Sequence, residues 1–263
     1  MVSEIRSGQP RRYDPDFLIA VQKGLVPGHS LVHKFGRNDA VANGSWEMIS
    51  LLSAATSKLS APTTVRIKAG GDAADDVAGA GAREFTIQGI DTTLAEVSEA
   101  LVTNGASASS ATTKSWWRIH RAWVSAVGTY AAANTDDITI EDSAGAADLM
   151  VVAAGEGQSQ HAGWTVPTGK TAYLLGALAT VDANKAADIR MMTMGGINTT
   201  VAPFSSPRIR RYWDGVAGTM PLPLKSPAGG TSALSDIWFE AQGSGSTAEV
   251  SVEFELLVIE DGY

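Results

Sequence analysis

The sequence predicts a mainly β protein with two β-sandwich or jelly-roll-like domains and an N-terminal arm carrying one short helix. Residues Ala248 to Leu256 alternate polar and apolar side chains, which is typical of a half-buried strand. Similar runs recur about every ten residues and are separated by glycine-rich turns, as in all-β folds. No long amphipathic helix separates them, which argues against a parallel α/β sheet. We place the arm at 1–50, the first β domain at 51–160 and the C-terminal β domain at 161–263.

The composition narrows the classes of function. The chain has 263 residues, of which 44% are hydrophobic and only 18% charged, with 20 basic and 28 acidic residues and a net charge of −8. This balance argues against nucleic acid as a partner, because duplex binding requires clustered basic residues. The absence of cysteine excludes disulfides and thiolate metal sites. Neither a signal-peptide pattern nor an apolar run of about 20 residues is present, so we expect synthesis in a cytoplasm and no membrane insertion.

The arm is expected to contain a helix of two or three turns. Asp14 and Pro15 resemble an N-cap followed by proline at the first helical position, and Gly24 supplies a stop. Pro27 and Gly28 then predict a turn. Leu31 and its apolar neighbours could form a strand. Because the arm otherwise shows little periodicity, we expect it to stay outside any sheet, and we expect the segment from about Met1 to Phe35 to reach a neighbouring subunit.

The first domain is predicted from short alternating runs. Two of them, Arg83–Ile90 and Glu96–Thr103, lie close together and predict a hairpin or meander, ended by the turn Asn104–Gly105. The other strand candidates are Val65–Lys68, Trp116–Val124 and Asp137–Glu141.

The second domain is predicted from four regions. They are a strand–turn–strand unit over Trp164–Leu175, a strand at Ile189–Met194, and a final hairpin formed by Ser235–Ala241 and Ala248–Ile259. The prolines of Met220–Leu224 exclude that segment from the centre of a sheet, because proline cannot donate a ladder hydrogen bond.

No motif predicts catalysis, a cofactor or a metal site. His29 and His33 have the four-residue spacing of zinc ligands on a helix, but the neighbouring turn makes a helix improbable. The chain lacks a G-x-S-x-G motif, and its glycine-rich stretches precede strands where a phosphate site requires a helix. The acidic loop with Asp72, Asp75 and Asp76 leaves cation binding open, although a solvated loop fits the spacing better.

Two features are candidate partner contacts. Arg208, Arg210, Arg211, Tyr212 and Trp213 form a basic–aromatic cluster of the residue types that concentrate binding energy at interfaces. The alternative is that these arginines stack on their aromatic neighbours and pair with local acids. The second candidate lies in the predicted strand Trp116–Val124. Alternation along this strand places Trp117 and Trp123 in the core and leaves Trp116 on the opposite face, where it is a candidate contact residue. A carbohydrate platform is a further, less favoured interpretation of the three tryptophans.

Several stretches resemble a family of uncharacterised virion structural proteins from marine tailed phages. The resemblance lies in Val26–Asn38, Gly79–Asp91, Glu96–Glu99, Thr103–Gly105, Val166–Leu174 and Ser235–Trp238. It covers about four-fifths of the chain, but not Asn43–Thr56 or Ile197–Asp214, so it does not support the basic–aromatic cluster.

The resemblance implies a non-enzymatic virion protein. We expect a capsid decoration (cement) subunit that binds the major capsid protein and copies of itself, as a homotrimer on the capsid surface. The alternative within this class is a neck, collar or tail-fibre component that contacts a receptor. An enzyme that degrades surface glycans is an alternative from another class, and it would need paired carboxylates about 5–10 Å apart in a groove.

Overall fold

The computed structural model describes residues 15–52, 58–197, 206–224 and 229–263. It is mainly β, with one helix, α1 (Pro15–Gln22), ahead of fifteen strands in the described part of the chain. The first eight strands are β1 (His29–Val41), β2 (Glu47–Met48), β3 (Val65–Ile67), β4 (Ala82–Asp91), β5 (Glu96–Val102), β6 (Trp116–Val127), β7 (Ile138–Asp142) and β8 (Asp148–Val152). The others are β9 (Gly163–Thr165), β10 (Lys170–Val181), β11 (Ala186–Met194), β12 (Arg208–Val216), β13 (Thr219–Pro221), β14 (Asp236–Ser244) and β15 (Ala248–Glu260).

The first sandwich is formed by β3 to β8. One sheet has the order β3-β7-β8 and the other the order β5-β4-β6, and both are antiparallel. Phe85, Ile87 and Trp116 of the second sheet meet Ile140 and Met150 of the first in a single hydrophobic core. The predicted hairpin of β4 and β5 is confirmed, with Glu84 opposite Val102 and Ile90 opposite Glu96.

The second sandwich contains the run that predicted the fold class. Sheet A has the order β1-β15-β10-β13, and sheet B has the order β12-β11-β14-β2, with β9 also paired to β14. Strand β15 lies at the centre of sheet A, and its Val250, Val252, Phe254 and Leu256 are buried as the alternation predicted. Phe254 packs against Phe239 of sheet B at 4.9 Å between ring centroids, which joins the two layers.

The expectation that the arm stays outside the sheets is wrong from His29 onward. Strand β1 pairs with β15 from His29 opposite Ile259 to Val41 opposite Ala248, and β2 pairs with β14. The periodicity of β1 is hidden because its inward-facing positions carry Lys34, Gly36 and Asn38, which are buried although they are not apolar.

The predicted final hairpin is also wrong. Strand β14 pairs with β11, β9 and β2 in sheet B, whereas β15 pairs with β1 and β10 in sheet A. The short connection after Ser244 therefore crosses from one layer to the other. β15 alternates clearly, whereas β14 begins with four consecutive buried residues, but neither pattern tells which partner a strand takes.

The helix is short and lies against the start of β1. It ends before Gly24, which has a positive φ of 70° as expected for a C-terminal stop, and Phe17 contacts His29 edge-on at 6.2 Å between ring centroids. The predicted N-cap, Asp14, lies outside the described residues. No helix in the described part of the chain has the length and apolar character needed to cross a membrane.

Candidate contact surface

The predicted basic–aromatic cluster lies on β12, at the edge of sheet B. Only β11 pairs with this strand, so its outer edge has no partner strand in the described part of the chain. Ile209 and Tyr212 are 55% and 50% exposed, although both are large and partly apolar. Arg210 is exposed and Nη2 donates to the carbonyl of Gly229 at 3.2 Å. Neither Arg210 nor Arg211 forms an ion pair with a described residue.

Two irregularities distort this edge. The pairing of β11 with β12 slips between Ala187 and Ile189 and again between Met191 and Met192. Bulges and charged side chains on an edge strand hinder the addition of another strand. The edge is therefore suited to contact through its side chains rather than through backbone pairing.

Two of the predicted contact residues belong to the cores instead. Trp213 is 8% exposed, stacks on Phe239 at 6.1 Å, and its Nε1 donates to the carbonyl of Pro223 at 3.3 Å. Trp116 is fully buried, and its Nε1 donates to Oγ1 of Thr112 at 3.2 Å. The prediction for Trp116 fails because the pairing of β6 with β4 is shifted at several points, so strict alternation does not hold along β6.

The contacts of Tyr212 agree in part with the alternative interpretation, in which the cluster forms local stacking contacts and pairs with nearby acids instead of contacting a partner. Its hydroxyl donates to Oδ2 of Asp188 at 3.2 Å, and its ring meets that of Trp46 edge-on at 5.8 Å. The guanidinium of Arg190 lies 4.1 Å from the Trp46 ring, and its Nε donates to Glu240 at 2.7 Å. Half of Tyr212 nevertheless remains exposed, so it can serve both as a local contact and as a contact for a partner.

A pair of carboxylates lies beside Tyr212. Asp214 and Asp188 are close enough to share a hydrogen bond, and this bond together with the charge of Asp188 raises the pKa of Asp214.

The outer side of sheet A carries a second exposed surface, which we call the acidic face. It consists of Glu253 and Glu255 on β15 with the side chains around them, His33, Phe35 and Leu178. Glu253 and His33 have half-exposed side chains and lie 3.8 Å apart, whereas Glu255 has no cationic partner among the described residues. Phe35 is 36% exposed. The sequence predicted the outward glutamates, but not their apolar neighbours. Phe35 was expected in an arm outside the sheets, and Leu178 lies beyond the strand predicted to end at Leu175.

A polar seam joins the two sandwiches. Arg118 of β6 and Asp236 of β14 form a buried ion pair, with Nη2 to Oδ2 at 3.0 Å and Nε to Oδ1 at 3.2 Å. Oγ1 of Thr165 donates to Asp236 at 2.6 Å, and Arg118 Nη1 also donates to the carbonyl of Leu59 at 3.1 Å. A buried ion pair with its remaining hydrogen bonds made holds one relative arrangement of its partners.

His120 occupies the middle of the seam with both ring nitrogens engaged. Its Nε2 accepts the backbone N–H of Thr165 at 3.0 Å, which leaves Nδ1 to donate to Glu96 at 3.0 Å. Burial lowers the pKa of His120, and the hydrogen bond and charge of Glu96 offset only part of this effect. Burial opposes ionisation of Glu96, but its bonds to His120 and to Nε1 of Trp164 outweigh burial and lower its pKa.

Lys34 reaches the seam from β1. Its ammonium donates to the backbone carbonyl of His120 at 2.5 Å, and its side chain is buried. Burial, followed by the charge of Arg121, lowers the pKa of Lys34 to about 7, while Glu96 acts in the opposite direction. Burial also places the pKa of the nearby His161 well below its usual value. Several buried bases at one contact make the seam sensitive to acid. This cluster could not be predicted from the sequence, because its residues come from parts of the chain that are far apart.

A cavity of about 40 Å³ lies along the seam, lined in part by His161, Trp164, Asp236 and Trp238. This volume suits about two or three water molecules rather than an organic substrate. Lys58 lies at its rim, with Nζ 3.6 Å from the centre of the Trp238 ring.

The acidic loop of the first sandwich does not have the arrangement of a cation site. Asp75 is buried, and its carboxylate accepts backbone N–H groups from Ala82 at 2.8 Å, Thr135 at 2.8 Å and Asp136 at 3.1 Å. A carboxylate that accepts several N–H groups is not available to a metal ion. Asp72 accepts from a residue of its own turn, and no group of three possible ligands occurs among the described residues.

Comparisons with known proteins give little further information. No family model and no curated protein matches the chain. A solved structure titled "Structure of infectious bursal disease virus Gt strain" is similar with a TM-score of 0.23 and 10% identity, over 94% of this chain and 78% of that chain. This similarity is too low to define a shared fold.

Proposed function

We propose that this chain is a non-enzymatic structural subunit of a virus particle, a decoration (cement) protein on the head of a tailed phage. The observation that carries the proposal is the edge strand β12, where Ile209 and Tyr212 are about half exposed and neither Arg210 nor Arg211 has an ion pair with a described residue. Arginine, tyrosine and apolar side chains are typical of protein interfaces. The resemblance of the sequence to phage virion proteins supports the same class.

The two joined sandwiches support this role mechanically. A subunit that binds only the assembled shell stabilises the shell by its own free energy of binding. Contacts of modest strength, repeated in a homotrimer, increase the total affinity. The seam through Arg118 and Asp236 favours one orientation of the sandwiches, so less conformational freedom is lost when both contact a lattice. The major capsid protein is the proposed partner, and the protein would be made in the host cytoplasm and reside on the capsid surface.

The buried polar groups support a non-enzymatic role. The ring nitrogens of His120 are both occupied, by Thr165 and Glu96, so neither can exchange a proton with a substrate. His120 therefore serves to hold the seam together.

The test is binding to expanded shells that lack the protein. We expect the Arg210→Ala/Arg211→Ala variant to bind fewer copies per shell and to melt at the wild-type temperature, because neither side chain has an ion pair within the described structure. Lys23→Ala, which removes an exposed charge next to α1, is the control and should bind normally. Equal loss of binding and of thermal stability in the double variant would contradict the proposal.

The location of the bound protein decides between the two virion roles. A labelled wild-type protein should distribute over the whole shell if it is a decoration subunit. Labelling confined to the portal vertex or the tail would contradict the decoration role and would identify the neck or tail-fibre alternative.

A further inference from the structure

We infer that the acidic face is covered by a second copy of this chain, which places its β12 arginines against Glu253 and Glu255. The inference rests on the proposed function and deepens it, since it assigns the β12 arginines to the contact between copies. Loss of these arginines then weakens binding to shells because the copies no longer bind as one multivalent unit. The inference is tested on the purified protein in the absence of shells. It is therefore wrong, without contradicting the proposed function, if the purified protein is monomeric but still binds shells.

Charge is the first argument. The acidic face has Glu255 with no cationic partner among the described residues, and Glu253 has only His33 at 3.8 Å. On β12, Arg210 and Arg211 likewise have no acidic partner in the described part of the chain. Opposite charges across an interface select the partner and fix its orientation. The acidic face thus carries carboxylates that need a cationic partner, and β12 carries guanidinium groups that need an acidic one.

The apolar side chains are the second argument. The acidic face exposes Phe35, which lies opposite Glu253, and Leu178 lies on the other side of the same glutamate. The β12 surface exposes Ile209 and Tyr212. Both surfaces therefore expose apolar side chains next to charged ones, and the apolar side chains lose contact with water when the two surfaces meet, as at protein interfaces.

The two surfaces favour contact through side chains rather than the addition of a strand from another chain to a sheet edge. The bulges and arginines of β12 hinder backbone pairing at its edge, and β15 lies at the centre of sheet A with both edges already paired. The contact is thus made by side chains, between two different surfaces. Contacts between different surfaces close into rings when the rotation permits, which agrees with the proposed trimer.

The first experiment measures the mass of the purified protein by light scattering after size exclusion. We expect wild type to be an oligomer. Arg210→Glu/Arg211→Glu and Glu253→Arg/Glu255→Arg should each weaken association by about a hundredfold or more, because like charges then meet at the interface. The variant with all four substitutions should regain the oligomer, since the charges are exchanged. Lys23→Glu is the control and should leave the mass unchanged.

The second experiment uses the absence of native cysteine. Arg210→Cys and Glu255→Cys chains, mixed and oxidised, should form a disulfide-linked pair of the two variants, and neither variant alone should do so efficiently. A monomeric wild type, failure of the fourfold exchange to restore a correctly folded oligomer, or efficient linkage of Arg210→Cys chains to one another would each overturn the inference.

Discussion

Arg118 on β6 and Asp236 on β14 form an ion pair across the two sandwiches, with the guanidinium and carboxylate in contact through two nitrogens and two oxygens. Both side chains are largely removed from water, at 11% and 6% exposure. Charges in such surroundings depend strongly on one another, because the loss of one leaves the other desolvated and unpaired.

Breaking this pair should be costly, whereas replacing it should not. We expect Asp236→Asn to lower the free energy of unfolding by about 3–5 kcal/mol, since it leaves Arg118 buried without a counter-charge. The double variant Arg118→Met/Asp236→Leu should lose much less, because neither charge remains. Urea unfolding of the single and double variants measures both values. Additive losses would show that the two side chains do not interact.

Lys34 should make stability depend on pH in the alkaline range. Its pKa is about 7 in the folded protein and near 10.5 in the unfolded chain. Below about pH 10 the unfolded chain therefore binds a proton that the folded protein excludes, and stability falls as the pH decreases to about 7, by up to about 1.4 kcal/mol per pH unit. Lys34→Met should reduce this slope when urea unfolding is compared across the range. An unchanged slope would show that Lys34 remains charged when folded.

His120 should make the seam sensitive to acid. Its pKa is lowered on folding, so the unfolded chain takes up a proton first and stability falls as the pH drops below about 6.5. Protonation would also place a donor on Nε2 opposite the N–H of Thr165. We expect His120→Gln to melt lower than wild type at neutral pH, but to lose less on acidification to about pH 5. The control is His33→Gln, which replaces a half-exposed imidazole away from the seam. This variant should lose as much thermal stability as wild type when the pH is lowered to about 5.

Gly36 should tolerate no side chain. A Cβ at this position of β1 would collide with the backbone of Ala162 and Ile49, neither of which can move without breaking its own hydrogen bond. Gly36→Ala should therefore cost about 1–3 kcal/mol, as overpacking does. Gly176→Ala is the matched control, since Gly176 lies on the other strand that flanks β15 and has open space around it. Similar melting temperatures for the two variants would contradict this view.

The strands that were predicted correctly from the sequence are those with one apolar face and one polar face. The β4–β5 hairpin and the alternation of β15 were correct because buried and exposed positions there follow a period of two. β1 was missed because it buries the polar side chains of Lys34 and Asn38, which donate to the backbone carbonyls of His120 and Met48 respectively.

The candidate site was predicted only in part. Arg210 and Tyr212 lie on an exposed edge as a contact surface requires, whereas Trp213 and Trp116 are buried. Shifts in strand register decide which way Trp116 faces, and these depend on the partner strand rather than on the local sequence. The seam could not be predicted for the same reason, since Lys34, His120 and Asp236 meet only when both sandwiches are formed.

The pairing of β1 with β15 determines when the molecule can be completed during synthesis. The strands of the first sandwich come from one continuous part of the chain, so it can form while the ribosome is still translating. β1 emerges earlier than all of them, but its partner β15 leaves the ribosome after every other described strand. Until then the inward face of β1 stays uncovered, and closing so long a loop makes this step slow. We therefore expect the pairing of β1 with β15 to be a late step that follows formation of the first sandwich.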